Sequence, residues 1–122
     1  MNQAKHSLVE VTDLINNGKV VFLAQSRSID QVILMFPKMN RNAAEEYILN
    51  HIKKLAAQDF AERIMQWDII LDVYGKLIDG LNWYIKFGIE QDENAENSLS
   101  EVSFHPIQDD LKLADGKILK KG

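Results

Sequence analysis

DIILDVYGKLIDGLNWYIKFGI, residues 68–89, decides the fold. Asp79-Gly80 near its centre is the turn signal of a β-hairpin, because a tight two-residue turn needs positive φ and glycine takes it at no steric cost. The returning arm alternates for nine residues. Leu81, Trp83, Ile85, Phe87 and Ile89 fall on one side and Asn82, Tyr84, Lys86 and Gly88 on the other. That is a strand with one face in a core and the other open to water or a ligand. The outgoing arm alternates less cleanly: Ile69, Leu71 and Val73 oppose Ile70, Asp72 and Tyr74, with Lys76 continuing the second row. A long hairpin with aromatic, lysine and aspartate side chains on its open side is a platform for chemistry.

Upstream, the apolar period changes from two to that of a helix. Ser7 and Glu10 have the spacing of a capping box, Leu8, Val11, Leu14 and Ile15 follow as one stripe, and Gly18 after Asn16-Asn17 offers a left-handed cap. The helix expected is Ser7 to Asn17. VVFLA at 20–24 reads as a short strand and Gln25 to Ser28 as a polar connection. A second helix is expected from Ser28 or Asp30 to Met35 or Phe36, stopped by Pro37, since the residue before proline is driven out of the helical region. The third is the clearest. Asn40 or Asn42 caps it, and Ala43, Ala44, Tyr47, Ile48, His51, Ile52 and Leu55 form a core-facing stripe. Glu45 and Glu46 near its start and Lys53 and Lys54 near its end match the helix dipole. In AAQDFAERIMQWD, Asp59 reads as the cap of a short helix carrying Phe60, Ile64 and Met65, and Trp67-Asp68 as a doublet that packs and caps.

Downstream of the hairpin, Gln91 to Ser98 is an acidic, turn-forming run expected to be an exposed loop. Leu99 to His105 is a further strand, with Leu99, Glu101, Ser103 and His105 on one row and Val102 and Phe104 on the other. Pro106 limits it to a strand end or an edge. The remainder either returns as a hairpin around Asp115-Gly116 or drapes along the surface. Helices first and strands afterwards, with no repeat and no linker, give a single domain over residues 1–122. Its expected class is α+β, with N-terminal helices packed on one face of a small, mainly antiparallel β-sheet.

The composition narrows the function. At 122 residues, 46% hydrophobic and 26% charged, the chain can build one ordinary core. Cysteine is absent and the three histidines are scattered, so neither a disulfide framework nor a metal site is expected. The longest apolar runs, Val20 to Ala24 and Val32 to Phe36, fall far short of the roughly 20 residues that cross a bilayer. MNQAKHSLVE lacks the apolar centre of a signal peptide. A soluble, cytoplasmic protein without a membrane partner is therefore expected. With a net charge of −4, any nucleic-acid contact has to rest on a local cationic patch. No GxGxxG, Walker A or G-x-S-x-G occurs, and no cofactor is expected.

If the strands pair as antiparallel neighbours, the open face presents Asp72, Tyr74 and Lys76, then Tyr84 and Lys86, then Ser103 and His105. A lysine, a histidine and a tyrosine on one face can move protons and stabilise a developing anion without a metal. RNA cleavage needs that set: a 2′-hydroxyl to deprotonate, a phosphorane to stabilise and a leaving oxygen to protonate. The same residues would also suit the watered side of any two-sided sheet. His105 is the acid/base candidate, histidine being the side chain that titrates near neutral pH. Tyr84 is read as base stacker or hydroxyl donor, Lys86 and Lys76 as phosphate stabilisers and Tyr74 as a substrate contact. Arg27 in QSRS and Arg63 are read as RNA anchors through their planar forks. His51, on the apolar stripe of the third helix, is read as a half-buried side chain.

Taken together, LVEVTDLINNGKV, the long middle helix running into AAQDF, LDVYGKLIDGLNWYIKF and the closing VSFHP resemble the MqsR family of toxins from bacterial toxin–antitoxin systems. The family's order is a helix ending in a Gly-x-Val step, an acidic-Phe step, a D-V-Y strand, a Y-[IL]-K strand and a final S-F strand. The resemblance implies a RelE-like fold and a ribosome-independent endoribonuclease that cuts mRNA without a metal and is neutralised by a cognate antitoxin. Tyr84 and Lys86 match the Tyr and Lys of the Y-[IL]-K step, and His105 stands where a cationic residue follows S-F. Two further polar positions depart, a Gln replaced by Leu71 and a Lys by Glu62, with Arg63 next to it. An alternative from another class is a non-catalytic immunity, inhibitor or antitoxin-like protein that offers an acidic surface, including residues 91–98, to a basic partner. A third is an interaction module with Trp67 and Trp83 in its interface.

Overall fold

The computed structural model describes residues 3–21 and 27–122. Three helices come first: α1 (Leu8–Asn16), α2 (Arg27–Met35) and α3 (Arg41–Lys53). Their ends follow the local chemistry. Ser7 Oγ accepts the Glu10 N–H at 3.0 Å, and Asn40 Oδ1 accepts the Ala43 N–H at 2.8 Å. At Gly18 the N–H bonds the Ile15 carbonyl while the Lys19 N–H reaches back to Leu14, so two orphan carbonyls of α1 are satisfied.

Four strands follow, β1 (Phe60–Gln66), β2 (Ile69–Ile78), β3 (Leu81–Gln91) and β4 (Asn97–Pro106), in spatial order β1-β2-β3-β4 with every neighbour antiparallel. A separate small hairpin, β5 (Leu111–Lys112) and β6 (Ile118–Leu119), closes the chain. The class is α+β. Val20 makes one parallel bridge to Leu99 on the outer edge of β4. Phe22 to Ala24, the rest of the expected first strand, lie outside the described residues, as do Gln25 and Ser26. No helix among the described residues is long and apolar enough to cross a membrane.

All three helices pack on one face of the sheet. Val11, Ile29, Val32, Ala44, Ile48 and Ile52 meet Tyr74, Trp83, Ile85, Phe87, Leu99 and Phe104 in a single buried cluster. At its centre Trp83 is fully buried and donates its indole N–H to the Ile78 carbonyl at 3.1 Å.

Three sequence expectations are corrected. FAERIMQ is a strand, not a helix, because Glu62 to Gln66 pair residue by residue with Val73 to Ile69, and a short apolar run takes the state that its neighbours support. Asp59 instead closes a single 3-10 turn, accepting the Ala56 N–H at 2.8 Å. The second correction concerns β2. The Asp79-Gly80 turn sets Ile78 opposite Leu81, which puts Lys76 opposite Trp83, Tyr74 opposite Ile85 and Asp72 opposite Phe87. Directly opposed residues share a face. Asp72, Tyr74 and Lys76 therefore lie on the helix side, and Val73 and Gly75 take the open side with Lys86 and Tyr84. The third is a β-bulge in β4: the register shifts between Lys86 and Gly88, and Glu101 sits at φ +54°. The bulge turns Leu99 to the helix side while Ser103 and His105 keep the open side, so the expected single row is broken.

The open side is itself half roofed. A Cβ at Gly75 would come within 2.6 Å of Leu111 Cδ2 and 2.8 Å of Leu119 Cδ1, which is how closely the terminal hairpin lies on β2. With Ala61, Val73, Ile107 and Leu113 it forms a second, smaller core. What remains uncovered is the part of the face carrying Lys86, Ser103 and His105.

Candidate functional site

The β3–β4 register sets Tyr84 opposite His105 and Lys86 opposite Ser103. Four polar side chains thus share one face, with successive members of a row about 7 Å apart along a strand. The Tyr84 and His105 rings stack at a centroid distance of 4.9 Å and an interplanar angle of 14°. His105 Nδ1 lies 2.7 Å from the Pro106 carbonyl oxygen. A carbonyl only accepts, so Nδ1 carries the hydrogen and Nε2 is the ring atom left to take up a proton. Burial, and after it the Glu62 carboxylate, push the Tyr84 hydroxyl above its ordinary pKa, which keeps it a donor.

Lys86 is held from the neighbouring hairpin. Its Nζ donates to Gln66 Oε1 at 3.1 Å, leaving two N–H groups for a ligand. Burial lowers its pKa and the Glu101 carboxylate opposes that shift. A half-buried ammonium whose hydrogen-bond partner is a neutral amide favours an incoming anion, which would replace some of its lost hydration.

Around this row is a cleft of about 540 Å³, lined in part by Arg27, Gln66, Trp67, Lys86, Ser103 and His105. That volume lies within the roughly 300–1,000 Å³ range of small-ligand sites. A second recess of about 350 Å³ runs from the same Lys86, Ser103 and His105 towards Asp109 and Leu111. Arg27 reaches the rim because Ser28 Oγ donates to the Val102 carbonyl at 2.9 Å, fastening the start of α2 to the bulged part of β4.

Tyr84, Lys86, His105 and Arg27 are therefore brought together, and three other expected residues are not. Tyr74 is buried on the helix side, its ring 5.5 Å from those of Phe60 and Phe87, and its hydroxyl is pushed up to about 12 by burial and the nearby Asp72 charge. Lys76 donates to the Lys54 carbonyl at 2.9 Å and pairs with Asp59 at 3.6 Å. Arg63, opposite Asp72, reaches the Ala4 carbonyl at 3.4 Å. Asp72 is also sequestered, accepting the Lys5 and His6 N–H groups at 2.7 and 2.9 Å. The register of the two hairpins puts all of these on the far face. His51 is half-buried against Tyr47, ring centroids 4.5 Å apart. Among the described residues no group of three or more His, Cys, Asp or Glu is arranged to hold a metal ion.

Sequence reasoning missed Trp67. It neither packs nor caps: it stands 78% exposed at the rim of the cleft, in a two-residue turn where Trp67 and Asp68 have φ of +50° and +64°. Such turns favour Asn and Gly. Left-handed backbone at a tryptophan costs about 1 kcal/mol or more, and here little packing offsets it. The mismatch in QWDI, an aromatic where turn chemistry asks for Asn or Gly, was the available signal. Trp83, by contrast, is buried and unavailable to any interface.

Comparisons with protein-family models, with curated proteins and with solved structures give no match to this chain. Its own geometry carries the functional argument.

Proposed function

We propose that the chain is a metal-independent endoribonuclease of the MqsR type, RelE-like in fold, that cuts mRNA in the cytoplasm and is restrained by a cognate antitoxin. The observation that carries this is the row of Tyr84, Lys86 and His105 on one open face beside the cleft, with His105 Nδ1 held by the Pro106 carbonyl and no partner for Nε2 among the described residues. In the reaction, Nε2 takes the proton of a ribose 2′-hydroxyl. The oxygen attacks the adjacent phosphorus, the O2′–P bond forms and the P–O5′ bond breaks, leaving a 2′,3′-cyclic phosphate and a 5′-hydroxyl end. Lys86 neutralises the added charge of the phosphorane. Its lowered pKa also suits it to release a proton to the departing O5′. Arg27 anchors a flanking phosphate through its planar fork. Tyr84 is a positioning residue, because its ring lies against the imidazole rather than open to a base.

A second reading has one observation in its favour. Glu101 acts on Lys86 and Glu62 acts on Tyr84, so carboxylates flank the cationic row in a chain of net charge −4. That would suit a non-catalytic protein docking a basic partner. Induced expression of the wild type and of His105→Ala separates the two. Growth arrest with loss of mRNA in the wild type alone supports the nuclease; a soluble, folded wild type that arrests nothing overturns it and favours the binding protein.

A further inference from the structure

Among the described residues, Trp67 is the one large aromatic side chain of the cleft rim that is left open to solvent, and the backbone beneath it is in a conformation that tryptophan disfavours. Gln66, the residue before it, holds the Lys86 ammonium at 3.1 Å. Trp67 and the Lys86 ammonium, on which a phosphate would sit, thus line the same cleft. The cleft that it shares with Arg27, Gln31, Gln66 and Lys86 is mixed, since Glu101 and the apolar Val21, Val102 and Phe104 also line it, but it carries the cations and amides that a phosphate and a base edge would need. Met65, two residues back and also exposed, is opposite Ile70 and belongs to the other face of the sheet, so it does not extend Trp67 into an apolar docking patch. Tyr84, the other aromatic of the row, is already stacked on His105.

We infer that Trp67 is a stacking platform for an unpaired base of the strand whose phosphate is held by Lys86, so that the cleft selects single-stranded RNA by its exposed bases. This rests on the cleft being an RNA site. An aromatic face beside a cationic track is the combination by which proteins hold single strands, since every base offers a π-face and a duplex hides it.

The test uses tryptophan fluorescence, because Trp83 is fully buried and Trp67 supplies the exposed signal. The probe is a 2′-O-methylated single-stranded octanucleotide, which lacks the reacting hydroxyl and cannot be cut. It should quench the emission. An abasic strand with the same phosphates should bind roughly ten- to hundredfold more weakly, the range expected for loss of one stacked base. For the variants, which lack that indole, binding is read from the anisotropy of the same strand labelled with fluorescein at its 3′ end: Trp67→Asn, which suits the turn, should weaken binding by a similar factor with no loss of thermal stability, and Trp67→Phe should recover most of the affinity. Equal binding of the abasic strand, full affinity in Trp67→Asn, or quenching by a protein partner but by no oligonucleotide would each overturn the inference. Failure of the two proposals can be told apart. Quenching by the methylated strand without cutting of ordinary RNA removes the nuclease and leaves the platform; normal cutting by Trp67→Asn removes the platform and leaves the nuclease.

Discussion

Strand β2 has a two-residue turn at each end, and the two are opposites. Asp79-Gly80, with φ of +49° and +83°, uses residues that accept left-handed backbone, and it is tied down: the Asp79 carboxylate accepts the Tyr47 hydroxyl of α3 at 2.7 Å. Trp67-Asp68 adopts the same handedness with a tryptophan in first place, and that tryptophan stands in solvent beside the cleft. One turn follows the local rules and sets the register that sends Tyr74 and Lys76 to the helix side and leaves Val73 and Gly75 beside Lys86 and Tyr84. The other breaks them next to that face. Strain that packing does not explain is a mark of a working surface. The comparison says that changes at the first turn should alter stability and changes at the second should alter binding.

The largest effect belongs to the site itself. His105→Ala should lower RNA cleavage by roughly 10²- to 10⁴-fold, the usual worth of a general base, while the melting temperature stays near that of the wild type. Gly80→Val comes next. It forces a β-branched residue into left-handed backbone and should lose about 1–2 kcal/mol in denaturant unfolding, with the cleavage rate per folded molecule unchanged. If it reduced cleavage more than stability, the division between the turns would be lost. Trp67→Asn should do the reverse, keeping or raising stability by up to about 1 kcal/mol as the turn relaxes. A clear destabilisation would mean that the indole packs after all.

The smallest effect sharpens the account of Lys86. Burial lowers its pKa, so the folded state disfavours the ammonium. Between the folded-state value and the unfolded 10.5 the unfolded chain binds more protons, and stability contributed by this group rises with pH. Lys86→Met should therefore be slightly more stable than the wild type at neutral pH, with an advantage that shrinks as pH approaches 10.5. Paired urea titrations across that range would show it; an advantage that grew with pH would reverse the assigned sign.

The site was partly legible in the sequence because β3 alternates cleanly, and that alone put Tyr84 and Lys86 on one side of it. β2 gave no such signal. Leu71, Asp72, Val73 and Tyr74 are all at most 1% exposed, so both faces of the strand are covered here and side-chain polarity does not report which residue points where. Only the turn assigns the parity. A two-residue turn at Asp79-Gly80 requires Ile78 opposite Leu81, and following that register would have moved Tyr74 and Lys76 off the site. The bulge in β4 was hidden because Glu101 occupies a left-handed position where Gly is usual. FAERIMQ carries too few apolar residues to distinguish a helix from an edge strand, and its pairing with β2 decided it. The cleft itself depends on α2 being pinned by Ser28 to Val102, a contact 74 residues apart that no local pattern announces.

The most direct measurement incubates the purified protein with single-stranded RNA in excess EDTA and identifies the new ends by mass spectrometry. The account predicts 2′,3′-cyclic phosphate and 5′-hydroxyl ends from the wild type and intact RNA with His105→Ala. Intact RNA with folded wild-type protein, or equal cutting by the variant, would contradict it.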